Sequence, residues 1–431
     1  MYWNRELETI ERKDLEQLQL KRLQAALEAA MNTPYYKKVF SENRVDISKI
    51  RTLEHLRDLP YTSKNDLRLS YPDGMVAVPR AEIVRMHASS GTTGKSTVIF
   101  YTQKDLDSWT DLLARSMAAT GATREDVFQN MMGYGLFTGG LGLHYGAERL
   151  GCMVIPSSTG NTIRQIQLIQ DFETTVIHIT PSYALHMVEE IQKMGIDPRD
   201  LTINKAYLGA EPYSEATRDK IQEQWGIEAY NSYGLSEMNG PGVAFECVHR
   251  SGMHLWEDCY IMEIINPETG EALPDGEEGE LILTHISREA MPILRYRTRD
   301  LTRIVPGTCA CGRTHRRIER IKGRTDDMLI IGGVNVFPSQ IETVLMNIPE
   351  VGNNYQIVLD RVKNLDRIII KVELYSKMFH GDMKELETLK KKVVDELRAL
   401  IVVNPKVELL EPGSLPPSTG KAVRVIDNRK I

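Results

Sequence analysis

Short apolar runs alternate with longer stretches of helical periodicity between residues 97 and 240. The apolar runs predict strands at 98–102, 127–132, 152–155, 176–180 and 205–209. The stretches between them predict helices that include 104–119, 162–171 and 181–193. This alternation indicates an α/β domain built on largely parallel strands. Ligands of such domains bind beyond the carboxyl ends of the strands, so the residues that follow each strand are candidates for chemistry.

The two ends of the chain have different patterns. Residues 4–31 place leucines such as Leu7, Leu15 and Leu23 at helical spacing, which predicts an amphipathic helical arm. Ser63, with Asp66 three residues later, predicts a capped helix start.

The residues after about 325 follow a β-α-β-β-α-β order. The predicted strands are 328–331, 355–359, 368–374 and 407–410, and the predicted helices are 338–347 and 383–401. This order is typical of a small ferredoxin-like α+β unit. We therefore expect two domains, a large N-terminal α/β domain over 1–325 and a small C-terminal domain over 326–431.

Composition limits the class of protein. A chain of 431 residues is long for one core, and its 42% of hydrophobic residues can fill two. The net charge of −6 argues against nucleic acid or an anionic membrane as the main partner. Because no apolar stretch reaches the length of a membrane helix and the N-terminus lacks a signal-peptide core, we expect a cytoplasmic protein. The odd number of cysteines, five, favours reduced thiols or a metal site over a disulfide framework.

A loop rich in hydroxyl groups precedes the strand predicted at 98–102. Its residues are Ser90, Gly91, Thr92, Thr93, Gly94 and Lys95. Glycine lets a backbone approach an oxyanion closely, hydroxyl groups donate to it, and the lysine adds a positive charge. We interpret the loop as a phosphate site, with a polar surface turn as the alternative. Its glycine spacing fits neither a P-loop nor a dinucleotide fingerprint.

Two further segments follow predicted strands. They are Gly209-Ala210-Glu211-Pro212 and Asn231-Ser232-Tyr233-Gly234-Leu235-Ser236-Glu237. With the loop, these segments resemble the ordered motifs of the acyl-adenylate-forming enzymes, the superfamily of acyl-CoA synthetases, firefly-type luciferases and peptide-synthetase adenylation domains. The resemblance implies that the first segment flanks adenine. It also implies that Tyr233 packs on the base, that Ser236 lies near the α-phosphate of ATP and that Glu237 binds Mg²⁺.

Three more segments extend the resemblance toward the C-terminus. They are Tyr296-Arg297-Thr298-Arg299-Asp300, Gly323-Arg324-Thr325-Asp326 and Pro417-Ser418-Thr419-Gly420-Lys421. By resemblance, Asp300 holds the ribose hydroxyls, Arg324 reaches the nucleotide and Asp326 is the hinge. Lys421 would be the catalytic lysine, and Gly332 with Gly333 would line the coenzyme A tunnel.

The residues of three segments resemble those of the phenylacetate–CoA ligases in particular. The segments are 134–142, 295–300 and 333–342. The resemblance implies ATP-dependent joining of an aryl-acetic acid, in the first place phenylacetate, to coenzyme A through an acyl-adenylate, by a homodimer. The aryl pocket would draw on Tyr134, Phe137, Ala210 and Pro241, each of which could instead serve core packing. Other aryl acids, transfer to a carrier protein and a regulator without catalysis stay open as alternatives.

Four of the five cysteines lie between residues 247 and 311. Two pairs of candidate ligands, each on a short excursion, suit tetrahedral Zn²⁺ with three sulfurs and one nitrogen. We predict a structural zinc site formed by Cys247, His254, Cys309 and Cys311. The possible substitutes as ligands are His249, Cys259 and His315, and unlinked reduced thiols are the other interpretation.

Overall fold

The computed structural model of the chain describes residues 1–89, 96–331, 334–362, 365–378, 383–416 and 422–429. The chain forms two compact units. The first unit comprises Met1–Ser158 and Tyr230–Ile321, and the second comprises Thr159–Ala229 and Lys322–Ile431. The expected division into a large domain over 1–325 and a small domain over 326–431 stays a prediction.

The described residues contain helices in both units. The helices are α1 (Arg5–Glu8), α2 (Arg12–Ala30), α3 (Pro34–Glu42), α4 (Lys64–Leu69), α5 (Gln103–Ala119), α6 (Thr138–Leu150), α7 (Thr162–Asp171), α8 (Pro181–Lys193), α9 (Glu215–Trp225), α10 (Pro338–Met346) and α11 (Met383–Ile401). No helix in the described part of the chain is both long enough and apolar enough to span a membrane.

The strands are mostly short. They are β1 (Arg85–Ala88), β2 (Val98–Tyr101), β3 (Val127–Asn130), β4 (Met153–Ile155), β5 (Val176–Ile179), β6 (Lys205–Leu208), β7 (Glu228–Leu235), β8 (Gly240–Glu246), β9 (Met253–Leu255), β10 (Tyr260–Ile265), β11 (Gly279–His285), β12 (Ile293–Thr302), β13 (Ile304–Val305), β14 (Arg317–Ile318), β15 (Gly323–Arg324), β16 (Leu329–Ile331), β17 (Val334–Val336), β18 (Val351–Val362), β19 (Leu365–Leu374), β20 (Lys406–Leu410) and β21 (Val425–Asp427). The expected mixed α/β class is confirmed.

The first unit combines parallel and antiparallel pairing. β3 pairs in parallel with β4, as the alternation of strands and helices predicted, and Val127 stands opposite Met153. β7, β8, β9, β14 and β13 follow one another in antiparallel pairs, and β10, β11 and β12 form a second antiparallel series. Large aromatic side chains such as Trp109, Trp256 and Phe245 are fully buried in this unit.

Helix α6 occupies a glycine-rich stretch where no helix was predicted. A Cβ atom on Gly142 would lie 2.5 Å from Trp109 Cζ2, and one on Gly146 would lie 2.5 Å from Leu113 Cβ. Trp109 and Leu113 belong to α5. The two glycines therefore permit close packing of α6 on α5, although glycine disfavours a helix when it is judged by propensity alone.

The predicted N-terminal helical arm consists of two helices, α1 and α2. α1 ends at Glu8, whose backbone carbonyl accepts a hydrogen bond from Thr314 N–H, and α2 begins at Arg12. The apolar face of α2 packs in a core that includes Leu23, Leu27 and Leu294. The predicted helix start at residue 63 is confirmed, because Ser63 and Asp66 form a reciprocal capping box at α4.

The second unit contains the parallel pair β5–β6 and a four-stranded sheet in the order β20-β19-β18-β21. The helices α10 and α11 appear in the predicted order, and residues such as Ile341, Val393 and Ile370 share one core. In one detail the sheet differs from expectation, because β16 pairs with β17 in a separate hairpin and β21 is the fourth strand of the sheet. Two residues separate β16 from β17, a connection length that favours an antiparallel hairpin.

Candidate active site

The predicted phosphate loop, Ser90 to Lys95, lies outside the described residues. The strands on either side of it, β1 and β2, pair in antiparallel register, with Ala88 opposite Val98. At the base of this hairpin the Thr97 hydroxyl oxygen lies 2.8 Å from Ser89 Oγ and 3.5 Å from Glu237 Oε1. The predicted magnesium ligand Glu237 therefore lies beside Thr97, which is hydrogen-bonded to Ser89, the residue before the predicted phosphate loop.

A short turn carries Glu237 and is held by Arg288. The Arg288 guanidinium donates to the Glu237 carbonyl oxygen at 2.8 Å and, through Nε, to Asn239 Oδ1 at 3.1 Å. Asn239 has a φ of 78°, a left-handed conformation that asparagine tolerates better than most residues. The Arg288 side chain is buried, so its positive charge faces these acceptors and not the solvent. The sequence carried no motif that would have indicated this arginine.

Tyr233 and Asp300 meet within the first unit. Tyr233 Oη donates a hydrogen bond of 2.6 Å to Asp300 Oδ2. The two residues are only 8% and 7% exposed, respectively. The residue predicted for the adenine and the residue predicted for the ribose are therefore in contact, as neighbouring parts of one nucleotide require.

The residues around Tyr233 on β7 have defined local roles. Asn231 N–H donates to Glu246 Oε2 at 2.7 Å, and Ser232 pairs with Phe245 across β7 and β8. A Cβ on Gly234 would lie 1.8 Å from the Gly240 carbonyl oxygen, so only glycine fits there. Ser236 Oγ lies 3.4 Å from Thr138 Oγ1 at the start of α6.

The Gly209-Ala210-Glu211-Pro212 segment follows β6 in the second unit. Ala210 has a φ of 69°, which is unusual for a residue with a side chain. The Glu211 carboxylate accepts from Ser182 N–H at 2.6 Å and from Ala422 N–H at 3.0 Å. Desolvation raises the pKa of Glu211 above its ordinary value, although hydrogen bonds with the Ser182 side chain and with the two N–H groups oppose the shift.

A cavity of about 940 Å³ in the second unit contains further predicted residues on its wall. Glu211, Pro212, Arg324 and Asp326 all line it. Arg324 forms a two-pronged ion pair with Asp326, with Nε–Oδ1 at 2.8 Å and an Nη–Oδ2 distance of 2.9 Å. The predicted hinge residue and the predicted nucleotide arginine are thus direct partners.

Lys421 and the predicted coenzyme A residues Gly332 and Gly333 lie outside the described residues.

The four residues proposed for the aryl pocket have separate surroundings. Tyr134 Oη lies 3.1 Å from His144 Nδ1 and accepts from Asn130 Nδ2 at 2.9 Å, and burial raises its pKa to about 12. Phe137, just before α6, is 50% exposed. The Pro241 carbonyl accepts a hydrogen bond of 2.9 Å from the indole N–H of Trp109 in α5. Ala210 belongs to the second unit. A common aryl pocket stays a prediction.

The cysteine–histidine cluster is assembled in the first unit. The ligand atoms of Cys247, His254, Cys309 and Cys311 all lie within 4.8 Å of one another. Cys247 Sγ is 3.6 Å from Cys309 Sγ, and Cys311 Sγ is 3.3 Å from His254 Nε2. His254 lies on β9 rather than on a loop. The four residues are the set that was predicted for zinc.

The surroundings of the cluster suit metal binding. His254 Nδ1 donates to the His315 carbonyl at 3.2 Å, which leaves Nε2 directed at the thiols and fixes the tautomer that a metal needs. Burial alone would raise the pKa of Cys309, but hydrogen bonds that involve His254, the Cys311 backbone and Ser251 together outweigh burial and lower this pKa to about 7. A hydrogen bond from the Cys247 thiol lowers the pKa of Cys311 as well. Thiolates are the form of cysteine that binds metals.

The possible substitute ligands lie outside the four-residue cluster. The two ring nitrogens of His315 contact Glu257 N–H and the Leu7 carbonyl, and Cys259 lies 3.6 Å from an oxygen of Asp258. The segment from Cys311 to His315 contacts the N-terminal arm.

The N-terminal arm makes direct contacts with this segment. Tyr2 Oη donates to the Cys311 carbonyl at 2.7 Å, and Arg313 Nε forms an ion pair of 2.6 Å with Glu8. Both members of this ion pair are buried. The sequence did not indicate these contacts, because they join positions about 300 residues apart without any motif.

Comparison with known proteins agrees with these motifs. The family model described as AMP-binding enzyme matches residues 18–287, and the AMP-binding enzyme C-terminal domain matches residues 333–429. The chain is 48% identical to the phenylacetate-coenzyme A ligase of Pseudomonas putida, across 98% of this chain and 96% of that protein. It is also 48% identical to the phenylacetate-coenzyme A ligase of Thermus thermophilus, across 100% of both chains.

A solved structure extends the likeness to three dimensions. The crystal structure of 2-hydroxyisobutyryl-CoA ligase in its postadenylation state with 2-HIB-AMP aligns with a TM-score of 0.94 at 28% identity, covering 99% of this chain and 92% of that one. The resemblance drawn from the motifs is confirmed by these independent matches. The chain therefore belongs to the family of AMP-binding, acyl-adenylate-forming enzymes.

Proposed function

We propose that this enzyme is an ATP-dependent phenylacetate–CoA ligase. In the first step a carboxylate oxygen of phenylacetate attacks the α-phosphorus of ATP, and the bond to the leaving pyrophosphate breaks. In the second step the thiolate of coenzyme A attacks the acyl carbon of phenylacetyl-AMP, and AMP leaves. The observation that carries the proposal is the 48% identity, along almost the whole chain, to two curated phenylacetate-coenzyme A ligases.

Each residue predicted for the nucleotide has a role in the proposed reaction. Tyr233 would pack on adenine while its hydroxyl holds the Asp300 carboxylate, which then accepts from the ribose hydroxyls. The segment from Gly209 to Pro212 would flank the base. Arg324, already oriented by Asp326, would contribute positive charge toward the nucleotide.

Glu237 and its neighbours fit the magnesium ion that accompanies ATP. A carboxylate and the hydroxyl group of Thr97, 3.5 Å away, are oxygen donors of the kind that Mg²⁺ prefers. When bound, Mg²⁺ neutralises charge on the triphosphate and on the departing pyrophosphate. Arg288 would keep the carboxylate in place through the Glu237 carbonyl, while Ser236 donates toward the α-phosphate.

The C-terminal part, 326–431, would supply the remaining groups. Lys421 would stabilise charge that develops during attack on the α-phosphorus, and Gly332 with Gly333 would allow close approach of the coenzyme A arm. Since one part of the protein must present a lysine first and admit a thiol afterwards, we propose that it reorients about Asp326 between the steps.

The cysteine–histidine cluster is proposed to hold one structural Zn²⁺ ion. Three sulfurs and one imidazole nitrogen complete a tetrahedral set with no open position for a substrate. The ion would fix the segment around Cys311 to which the N-terminal arm is bonded. Metal analysis of protein purified without added zinc should find about one equivalent per chain. Protein that is fully active and stable without bound metal would contradict the proposal.

The acid specificity can be tested directly. Purified enzyme is incubated with ATP, Mg²⁺ and coenzyme A, with phenylacetate, hydroxyphenylacetate or indoleacetate as the acid, and AMP and thioester are both quantified. We expect phenylacetate to give the highest kcat/KM, with one thioester formed per AMP. Parallel reactions offer an acyl carrier protein in place of coenzyme A. Acyl transfer to that protein alone, or a clear preference for another acid, would refute the assignment.

We also propose a cytoplasmic homodimer. Sedimentation equilibrium on the purified protein should give twice the mass of one chain, and a monomer at working concentration would contradict this.

A further inference from the structure

Glu211 bridges two segments of the second unit that are far apart in sequence. Its two carboxylate oxygens accept separate hydrogen bonds, Oε1 from Ser182 N–H at 2.6 Å and Oε2 from Ala422 N–H at 3.0 Å. Ser182 lies in the first turn of the 13-residue helix α8. The free N–H groups and the dipole of such a turn favour a carboxylate, so the first bond anchors Glu211 firmly on the side of α8.

The second bond reaches a functionally important position. Ala422 directly follows Lys421, the lysine that the proposed function makes catalytic. A peptide unit is planar, so an N–H group held at residue 422 restricts the peptide bond that joins it to residue 421. The Glu211 carboxylate therefore restricts the backbone next to the proposed catalytic lysine.

The rest of this C-terminal segment is tied to its own part of the chain. Arg424 donates to Asn354 Oδ1 at 2.8 Å and to the Tyr355 carbonyl at 3.1 Å, and its guanidinium lies 4.3 Å from the centre of the Tyr355 ring. These contacts would move with the C-terminal part in any reorientation about residue 326. The bond from Ala422 to Glu211 is different, since it connects the segment to residues in the 159–229 stretch.

We propose that Glu211 is a positioning residue for adenylation, which holds the backbone N–H of Ala422 and so places Lys421 at the α-phosphate. The hydrogen bond forms for the first half-reaction and is released when the C-terminal part turns for thioester formation. This inference rests on the proposed function. It gives the glutamate of the Gly-Ala-Glu-Pro segment a task other than contact with the nucleotide.

The test measures the two half-reactions separately in Glu211→Ala and Glu211→Gln. Adenylation is followed by phenylacetate-dependent exchange of pyrophosphate into ATP, and thioester formation is followed from synthetic phenylacetyl-AMP with coenzyme A. Because a displacement of about 1 Å can cost about 100-fold in rate, we expect kcat of adenylation to fall about 10- to 100-fold in the alanine variant. The glutamine variant should retain part of the rate, since its amide keeps one acceptor oxygen. The KM for ATP and the thioester step should change less than about twofold.

A second measurement does not depend on catalysis. Hydrogen–deuterium exchange of the peptide that contains Ala422 should be faster in Glu211→Ala than in the wild type. Glu215→Gln is the matched control, because Glu215 lies on the same unit and pairs with Arg218 three residues away. It should change neither the exchange nor either half-reaction.

The outcomes separate this inference from the proposed function. If the wild type adenylates no phenylacetate but exchange at Ala422 responds to Glu211, the proposed function fails while the hydrogen bond stands without its catalytic role. If the wild type is active and the KM for ATP rises without a fall in kcat, Glu211 is a nucleotide ligand and the inference is overturned. Equal loss in both half-reactions, or unchanged exchange at Ala422, also overturns it.

Discussion

Tyr233→Phe isolates one hydroxyl group at the centre of the candidate nucleotide site. The substitution keeps the ring that would pack on adenine and removes the donor to Asp300 Oδ2, which is 2.6 Å away. That distance is typical of a hydrogen bond from a hydroxyl group to a carboxylate. The two residues are 8% and 7% exposed, so water replaces the lost donor poorly. Asp300 would have one hydrogen-bond partner fewer and would be held less firmly toward the ribose.

The expected size of the effect follows from the type of bond. A hydrogen bond to a charged group contributes about 1.5–3 kcal/mol. Since about 1.4 kcal/mol corresponds to a factor of ten, the Kd for ATP should rise about 10- to 100-fold if the whole effect falls on nucleotide binding. Part of the loss will also lower the free energy of unfolding of the protein without ligand.

Calorimetric titration with ATP and with 2′,3′-dideoxy-ATP measures how much of the effect falls on binding of the ribose hydroxyls. We expect the wild type to prefer ATP and Tyr233→Phe to lose most of this preference, since the carboxylate that reads the ribose is no longer held. Tyr36→Phe is the matched control, because Tyr36 is equally buried in the same unit and accepts from Leu294 N–H at 2.8 Å. It should lower the melting temperature and leave the Kd for ATP unchanged. If Tyr233→Phe behaves like this control, the Tyr233–Asp300 pair is structural and the ribose assignment is wrong.

Three further variants test the other assignments. Lys421→Ala should slow adenylation by about 10²–10³-fold, and leave thioester formation from synthetic phenylacetyl-AMP intact, whereas equal loss in both assays would refute the role. Asp326→Pro should restrict the backbone φ at the hinge, so that phenylacetyl-AMP accumulates while its transfer to coenzyme A collapses; parallel changes in both steps would argue against the hinge. Cys309→Ser combined with Cys311→Ser should abolish zinc binding and lower the melting temperature, and unchanged thermal stability would contradict a structural role.

The residues that bear directly on the proposed chemistry were the easiest to find in the sequence. Tyr233, Glu237 and Asp300, which the proposed function places at the nucleotide, stand in short motifs that follow a turn or strand end at a fixed spacing. The four residues of the cysteine–histidine cluster were identified by residue type instead. In the structure their potential ligand atoms lie within 4.8 Å of one another. Few other residue types offer sulfur or imidazole ligands, so a small set of candidates sufficed.

The supporting residues could not be found in this way. Arg288 holds the turn around Glu237, and Arg313 holds the N-terminal arm through Glu8, yet an arginine in isolation reads as a surface residue. Their importance follows from burial beside a specific acceptor, which depends on contacts between distant segments. Helix α6 was missed for a related reason, since the glycines that weaken a helix on its own are the residues that let it pack against α5.

Glu211 stands in a motif, but it also makes contacts that no motif predicts. It stands in the Gly209-Ala210-Glu211-Pro212 segment, which by resemblance flanks adenine. Its carboxylate accepts hydrogen bonds from two backbone N–H groups, one on α8 and one at Ala422, in addition to the Ser182 side chain. A backbone N–H is present at every residue except proline, so the sequence around position 422 holds no record of the partner. The link between the nucleotide segment and the segment of the proposed catalytic lysine is therefore visible only after the chain has folded.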